Sequence, residues 1–281
     1  VLEPDLSGNE MTYVNECIRT NWISSQGKFV KQFESQFSKL HLGRHAVSVT
    51  SGTTALHLAL KTLNIGIGDE VIIPNITFAA CANAVIMSGA TPVFCEIDAQ
   101  TWCISPSEIK SLLTNKTKAI MIVHLYGQVA DIDAIIKIAD QHDLFILEDC
   151  AEALGSTYKD QPVGTFGNIG TFSFFGNKTI STGEGGMLIF EDEKLAKKSR
   201  ILRDHGMDPN NKYWHEYTGY NYRLTNLQAA VGLAQLERFK NIVDKKIAIS
   251  NWYKTELSKF KWIAQKPANI DMVVNSNWLF T

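Results

Sequence analysis

The sequence lacks several features that would place a protein in a class at once. It contains no run of ~18 consecutive apolar residues, the length that a membrane helix needs. It has no basic cluster with interleaved aromatics, and its net charge of −2 gives no support to nucleic-acid binding. The first residues lack the basic start and apolar stretch of a signal peptide. We therefore expect a cytoplasmic protein that binds neither membranes nor nucleic acids.

Metal and nucleotide motifs are also missing. The five cysteines form an odd set with no CxxC pair, which favours neither disulfides nor a thiolate metal site. His41 and His45 have helical i,i+4 spacing but no third ligand in sight, so we interpret them as surface histidines. There is no GxxxxGK[ST] motif, and the turn Gly183–Gly186 lacks the third glycine of a dinucleotide fingerprint. We predict no metal site, and a nicotinamide dehydrogenase is the least favoured enzyme class.

What is present is an alternation of strand-like and helix-like segments. The composition is ordinary for a globular protein, with 45% hydrophobic and 20% charged residues. Short apolar runs typical of buried strands alternate with segments whose apolar residues follow helical spacing. This pattern predicts an α/β fold with a mostly parallel sheet flanked by helices. The predicted strands are His45–Val49, Glu70–Ile73, Pro92–Ile97, Ala119–His124, Leu144–Glu148, Thr171–Phe175 and Met187–Phe190, and the predicted helices between them are Thr53–Leu63, Phe78–Met87 and Ile132–His142.

The two ends of the chain have sequence patterns that differ from the alternating pattern of the central segment. Asn9–Leu42 is predicted to be an amphipathic helical arm, and Leu227–Phe239 to form one long amphipathic helix. Met272–Thr281 is apolar and β-like, but no partner strand follows it. We expect the arm and a large domain in residues 1–240, and the start of a truncated small C-terminal domain in residues 241–281.

Lys178 is unusual because it lies between an aromatic strand and a glycine-rich turn. Asp149 follows an apolar run that ends a predicted strand, and parallel strands bring their carboxyl ends to one edge of the sheet. An amine and a carboxylate at that edge suit pyridoxal phosphate. The amine forms a Schiff base with the aldehyde, and the acid keeps the pyridine nitrogen protonated. Taken alone, Lys178 could be a surface charge and Asp149 the N-cap of a helix beginning at Ala151.

A candidate phosphate site lies earlier in the chain. Ser51, Gly52, Thr53 and Thr54 follow a strand and open a helix. Free backbone N–H groups and the helix dipole favour an anion there, and the hydroxyls add donors. An ordinary helix N-cap would have the same composition.

Three more residues follow strand ends of the same predicted sheet. Phe78 could stack on a pyridine ring or pack in the core. Glu152 could lie near the cofactor's phenolic oxygen or form a capping box with Asp149. Ser173 alternates with two phenylalanines, so its hydroxyl faces away from them and could bind phosphate or a backbone group. The ordered occurrence of phosphate site, aromatic, acid, serine and lysine favours a cofactor site.

Five segments together resemble the DegT/DnrJ/EryC1/StrS sugar aminotransferases, which are fold-type I enzymes dependent on pyridoxal phosphate. The segments are Ser51–Leu60, Gly68–Pro74, Glu148–Gly155, Thr171–Gly186 and Gly219–Asn226. The resemblance covers almost the whole chain and implies a seven-stranded sheet. It also implies that Lys178 is the Schiff-base lysine and proton shuttle, and that Asp149 pairs with the pyridine nitrogen.

The same resemblance implies a set of cofactor-binding residues. In that family, a neighbouring subunit contributes an asparagine to the phosphate, and Asn221 matches it. A homodimer with shared active sites would follow. The implied set is Ser51, Gly52, Thr53, Thr54, Phe78, Asp149, Glu152, Ser173, Lys178 and Asn221.

The resemblance further implies a transaminase that moves an amino group from L-glutamate to a nucleotide-linked 4-keto-6-deoxy sugar. Within the family, Trp22–Ser25, Ser173–Lys178 and Tyr213–Tyr217 favour GDP-4-keto-6-deoxy-mannose as substrate and a place in polysaccharide or O-antigen biosynthesis. A UDP- or dTDP-linked sugar and a non-catalytic relative are the alternatives. Relatives normally continue into a complete small domain, so the activity of a truncated chain is in question. A related dehydratase branch carries histidine in place of Lys178, which argues here for amino transfer.

Overall fold

A seven-stranded sheet forms the centre of the protein, in a computed structural model that describes residues 3–263 and 271–281. The strands of the described residues are β1 (His45–Val49), β2 (Glu70–Pro74), β3 (Thr91–Cys95), β4 (Thr117–Val123), β5 (Phe145–Asp149), β6 (Thr157–Tyr158), β7 (Gln161–Pro162), β8 (Ile169–Ser173), β9 (Gly186–Phe190) and β10 (Val273–Val274). The central order is β1-β9-β8-β5-β4-β2-β3, and β10-β6-β7 form a second, small sheet. In the central sheet only β9 runs antiparallel to its neighbours.

Helices cover both faces of this sheet. They are α1 (Glu10–Arg19), α2 (Lys28–Leu40), α3 (Gly52–Thr62), α4 (Ala80–Ser88), α5 (Pro106–Leu112), α6 (Ile132–His142), α7 (Glu193–Arg203), α8 (Asn226–Glu237) and α9 (Phe239–Leu257), with a 3₁₀ turn at Leu125–Gly127. Alternate residues of one strand enter different cores: Leu188 packs with α3, whereas Met187 and Ile189 pack with α2 and α8. Burial on both faces explains why the strands are continuous apolar runs.

The predicted α/β fold with a mostly parallel seven-stranded sheet is confirmed. All seven predicted strands are present, with ends displaced by no more than a few residues. The ends of strands are the part least well predicted from apolar runs, because turn residues, and not the periodicity, set where a strand stops.

The predicted helical arm at the N-terminus is confirmed, as two helices, α1 and α2, both packed against α8. Two other predictions about the ends of the chain were wrong in detail. The long helix predicted over Leu227–Phe239 breaks at Arg238, where α8 ends and α9 begins. The segment Met272–Thr281 does have a partner strand, since Val273 and Val274 pair antiparallel with β6. Such long-range pairings leave no mark on local periodicity.

The prediction of surface histidines was wrong for His41. Its side chain is buried at the end of α2, where Nδ1 lies 2.9 Å from the carbonyl oxygen of Phe37 and the ring stacks on that of Phe37 at 4.4 Å. Burial lowers the pKa of His41 to about 4, so the imidazole is neutral at physiological pH. His45 begins β1, so the two histidines do not share a helix.

A buried carboxylate connects three parts of the fold near the end of β5. Glu148 is fully buried, and each of its two oxygens accepts two hydrogen bonds. Its partners are the backbone N–H groups of Gly164, Phe166 and Gly167 at 2.8, 2.8 and 2.6 Å and Nε2 of His124 at 3.1 Å. Burial by itself would raise the pKa of Glu148, but these donors outweigh it and hold the pKa below the ordinary glutamate value.

Within residues 3–263 and 271–281, no helix has the length and apolar character to cross a membrane.

Replacing Glu148 with glutamine is expected to lower the free energy of unfolding by about 3 kcal/mol or more. Either orientation of the amide points its NH₂ group at a backbone N–H donor. Because folding lowers the pKa of Glu148, the wild type should lose this stabilisation as the pH falls below the ordinary glutamate range. The glutamine variant should lack that part of the pH dependence. Urea denaturation followed by circular dichroism at several pH values measures both effects.

The matched control is Glu191→Gln, since Glu191 is exposed and pairs with Arg44 at the surface. We expect the control to change stability by less than about 0.5 kcal/mol. A Glu148→Gln protein as stable as this control would contradict the assigned role.

Candidate active site

A cavity of about 350 Å³ opens at the carboxyl edge of the central sheet. Its wall is built from the segments that follow β1, β2, β4, β5 and β8, together with part of the C-terminal segment. The lining residues are Ser51, Gly52, Thr53, Leu56, Thr77, Phe78, Ala80, Val123, Leu125, Asp149, Ala151, Glu152, Ser173, Phe175, Asn177, Lys178, Glu184 and Trp278. The position is the one at which open parallel sheets bind their ligands.

Asp149 lies at the base of this cavity and is nearly buried. Its Oδ1 atom accepts the backbone N–H of Ala151 at 3.0 Å, and Oδ2 accepts the thiol of Cys81 at 3.1 Å. The alternative that Asp149 caps a helix at Ala151 was wrong, because residues 151–155 form turns. The carboxylate is held on two sides and faces the cavity.

Lys178 reaches the same cavity after β8. Its side chain is 14% exposed, so the surface-charge alternative does not hold. The Nζ atom lies 3.5 Å from Oε1 of Glu152 and 3.9 Å from the ring centroid of Trp278. The amine therefore lies between a carboxylate and the face of an indole ring.

Glu152 connects the lysine to a strained turn. Its Oε2 atom accepts the backbone N–H of Tyr126 at 3.2 Å, and Tyr126 has φ of +54° in the left-handed region. Burial raises the pKa of Glu152 above the ordinary glutamate value, although Lys178 and the Tyr126 N–H oppose the rise. The capping-box alternative for Glu152 and Asp149 does not match these partners.

The predicted phosphate loop divides into two pairs of residues. Ser51 and Thr54 form a capping box at the start of α3, so their N-cap interpretation is confirmed. Thr54 is not among the residues on the cavity wall, whereas Gly52 and Thr53 are. The first N–H groups of a helix have no acceptor within it and are directed outward. A Cβ atom on Gly52 would lie 2.8 Å from that of Ser173, so glycine allows these two walls to meet.

Phe78 and Asn221 lie in very different places. Phe78 precedes α4 on the cavity wall and is 72% exposed, so it does not pack in the core. Asn221 is exposed and is not among the residues that line the cavity of its own chain. Its Oδ1 atom accepts a hydrogen bond from Nη2 of Arg223 at 2.9 Å, and Arg223 in turn pairs with Asp204 at 2.7 Å.

Sequence reasoning missed Trp278, which closes one side of the cavity. Its Nε1–H donates to the carbonyl oxygen of Asn177 at 2.7 Å, and its ring stacks on that of Tyr126 at 6.2 Å with an interplanar angle of 13°. Trp278 is about a hundred residues from Lys178 in the sequence. An isolated tryptophan in an apolar segment gives no signal of such a contact.

A larger open groove of about 890 Å³ lies between the arm and α7. Its most buried charge, on Glu34, is already balanced by Arg203 at 2.8 Å and accepts the Ser48 hydroxyl at 2.8 Å. Lys28, Glu16 and the start of α2 also meet in this groove, but the Lys28 amine is already paired with the Glu16 carboxylate. The chemistry of the side chains, and not the volume, identifies the smaller cavity as the candidate active site.

The residues of this cavity fit pyridoxal phosphate. The start of α3 at Gly52 and Thr53, with the hydroxyl of Ser173, offers donors for a phosphate. The carboxylate of Asp149 suits a protonated ring nitrogen, and the Lys178 amine suits an aldehyde. Asn177 has a buried Oδ1 atom without a hydrogen-bond partner among the described residues, which a polar ligand could satisfy.

Comparisons with known proteins agree with this chemistry. The model of the DegT/DnrJ/EryC1/StrS aminotransferase family matches residues 4–281. The GDP-perosamine synthase of Caulobacter vibrioides is 49% identical over 95% of this chain and 72% of its own length. That of Escherichia coli O157:H7 is 47% identical over 96% of this chain and 74% of its own. The crystal structure of an aminotransferase from Psychrobacter cryohalolentis superposes with a TM-score of 0.93 at 35% identity, covering 99% of this chain and 75% of that one.

Replacing Trp278 with leucine is expected to make Lys178 more accessible to an amine-directed reagent in the protein without cofactor. The variant loses the ring over Nζ and the hydrogen bond to Asn177. A cation–π contact of about 1 kcal/mol corresponds to a roughly fivefold faster modification. Mass spectrometry of the peptide that contains Lys178, after timed acetylation, measures the rate.

Trp278→Phe keeps an aromatic face, so its rate of acetylation at Lys178 should stay within about twofold of the wild-type rate. The internal control is the exposed Lys240, which should react equally fast in all three proteins. An unchanged rate at Lys178 in the leucine variant would show that the ring does not shield the amine.

Proposed function

We propose, from the fact that the chain belongs to the DegT/DnrJ/EryC1/StrS aminotransferase family, that its substrate is a GDP-linked 4-keto-6-deoxy sugar. The chain is a pyridoxal-phosphate-dependent sugar aminotransferase. L-glutamate is the amino donor, GDP-4-keto-6-deoxy-mannose the acceptor and GDP-perosamine the product. GDP-perosamine is the product in the names of the relatives from Caulobacter vibrioides and Escherichia coli O157:H7, and the sequence cues in Trp22–Ser25 and Tyr213–Tyr217 favour it as well.

One structural observation carries the catalytic part of the proposal. A single cavity brings together the Lys178 amine, the Asp149 carboxylate and the start of α3. These groups come from segments that follow β8, β5 and β1, so their meeting is a property of the sheet and not of one local motif. The edge at which these three groups meet is the one where open parallel sheets bind their ligands.

Each residue has a stated task in this proposal. The cofactor, when bound, would supply an electron sink for the negative charge that develops at the substrate carbon. Lys178 would hold and move a proton at its Nζ atom, which Glu152 and Trp278 orient. Asp149 would pair with the ring nitrogen. Phe78 provides an aromatic face, and Ser51 to Thr54 with Ser173 form the phosphate end, in which Thr54 acts by fixing the capping box.

We also propose a homodimer with shared active sites. Asn221 is exposed and outside its own cavity, so its side chain is accessible to the cavity of a second copy. Exposed apolar side chains offer surface for such an association, among them Ile67, Ile86, Met87 and Phe94.

The division into domains and the location of the protein complete the proposal. We place a large cofactor-binding domain in residues 1–240 and the beginning of a small one in residues 241–281, with α9 as the connection between them. The chain spans about 72% of the length of the relative from Caulobacter vibrioides. We place the enzyme in the cytoplasm, where its five buried thiols would stay reduced.

The substrate assignment is tested by supplying L-glutamate with GDP-, UDP- or dTDP-linked 4-keto-6-deoxy sugars in parallel and following the amino sugar by mass spectrometry. We expect turnover with the GDP-linked sugar at least about tenfold above the other two. Lys178→Ala should lower it by about a thousandfold, and Lys240→Ala, on the surface, should not change it. A preference for the UDP- or dTDP-linked sugar would replace the proposed substrate, and retained turnover in Lys178→Ala would overturn the role of the lysine.

The shared site is tested by mixing two variants that fail for different reasons. Lys178→Ala and Asn221→Ala each disable both sites of a homodimer when alone. After subunit exchange, half of the dimers are hybrids, and one site of each hybrid has both residues intact. The mixture should therefore recover about a quarter of wild-type activity. Light scattering on a sizing column reports the oligomeric state, and no recovery after proven exchange would contradict sharing.

A further inference from the structure

Cys81 is buried at the first turn of α4, directly behind the cavity. Its sulfur lies 3.1 Å from Oδ2 of Asp149 and 3.0 Å from the hydroxyl of Thr77. No part of the proposed mechanism uses this cysteine, and sequence reasoning treated it as an unpatterned thiol.

The direction of these hydrogen bonds follows from the charge of the carboxylate. An ionised carboxylate only accepts, so the Cys81 thiol donates to Asp149. The sulfur is then left to accept, and the Thr77 hydroxyl donates to it. Burial raises the pKa of the Cys81 thiol well above its ordinary value, with the negative charge of Asp149 as the next cause, so the thiol keeps its proton.

Both oxygens of Asp149 are thereby fixed from the protein side. The backbone N–H of Ala151 holds Oδ1 at 3.0 Å, and Cys81 holds Oδ2 at 3.1 Å. Among the described residues these are the hydrogen-bond donors to the carboxylate. Without Cys81, one donor would remain, and the carboxylate could rotate about its last torsion.

We propose that Cys81 is a positioning residue, which orients the Asp149 carboxylate for the ring nitrogen of the cofactor. The inference rests on the proposed function only in taking Asp149 as the partner of that nitrogen. It does not depend on which sugar is the substrate. A chain of donors from Thr77 through Cys81 to Asp149 connects the segment after β2 to the end of β5, and these segments form adjoining parts of the cavity wall.

The other cysteines provide a comparison. Cys95 is equally buried, but its sulfur lies 3.8 Å from the carbonyl oxygen of Ser105, in the core beside α5. It does not line the cavity. A loss of the sulfur at Cys95 therefore creates a similar small void with no effect on Asp149, which makes it a matched control.

The test measures binding of two ligands to the protein freed of cofactor. One is pyridoxal phosphate, and the other is its 1-deaza analogue, in which a C–H group replaces the ring nitrogen. Asp149 distinguishes the two, whereas the phosphate end and Lys178 do not. Cys81→Ala should weaken binding of pyridoxal phosphate about tenfold, as expected for losing a hydrogen bond to a charged group, and should change binding of the analogue less than about twofold. Cys81→Ser should restore most of the loss, since a hydroxyl also donates.

Two further proteins make the result specific. Cys95→Ala should bind both ligands like the wild type. In an Asp149→Ala background, Cys81→Ala should have no additional effect, because the residue through which it acts is gone. Thermal unfolding checks that each variant is folded, and if Cys81→Ala does not fold, Cys81→Val, which fills the space without a donor, is measured in its place.

The proposal is overturned if loss of the thiol weakens the binding of both ligands equally, or if Cys81→Ser does not restore the binding of pyridoxal phosphate. It is also overturned if the wild type does not distinguish the two ligands, because Asp149 would then not engage the nitrogen. A wild type that distinguishes the ligands but does not aminate a GDP-linked ketosugar would contradict the proposed substrate and leave this inference standing.

Discussion

The site depends on two neighbouring carboxylates at the end of β5. Successive residues of a strand face opposite sides of a sheet, so Glu148 and Asp149 are directed into different environments. Glu148 is fully buried and is saturated by three backbone N–H groups and His124. Asp149 faces the cavity. The first carboxylate keeps the end of the strand in place, and this placement makes the position of the second reproducible.

The surrounding segments have little regular structure, yet they are not loosely held. Tyr126 adopts a left-handed conformation and donates its N–H to Glu152, while its ring supports Trp278. Trp278 in turn lies over the Lys178 amine. Strained residues of this kind persist where several contacts fix them, and they concentrate at functional sites. The lysine is therefore oriented by a carboxylate and an aromatic ring that come from two distant parts of the chain.

Sequence patterns predicted the fold well because this fold repeats one simple unit. Apolar runs such as Leu144–Leu147 identify buried strands, and glycines and prolines mark the joins, so the α/β architecture followed. The same patterns failed at the ends. Nothing local reveals that the arm folds back onto α8 or that Val273 pairs with Tyr158, since both depend on residues far away in the chain.

For the site, the outcome differs from residue to residue. Lys178, Asp149, Glu152, Gly52 and Ser173 were recognisable because each has an unusual position relative to a strand or helix end, and the structure brings all of them to one cavity. Thr54 was assigned to a phosphate, and its hydroxyl completes a capping box. Both roles suit a threonine at a helix start, so the residue type alone does not separate them, and the phosphate role stays a prediction.

The sequence by itself determined the order of the seven central strands, the residue types at their ends and, through its resemblance to a family, the chemistry they serve. Only the tertiary structure decided which of these residues meet. It placed Cys81 against Asp149 and Trp278 over Lys178, and it kept Asn221 away from the cavity of its own chain. The physical reason is that residue type and periodicity are local properties, whereas a hydrogen bond or ring contact requires two segments to be packed within a few ångströms.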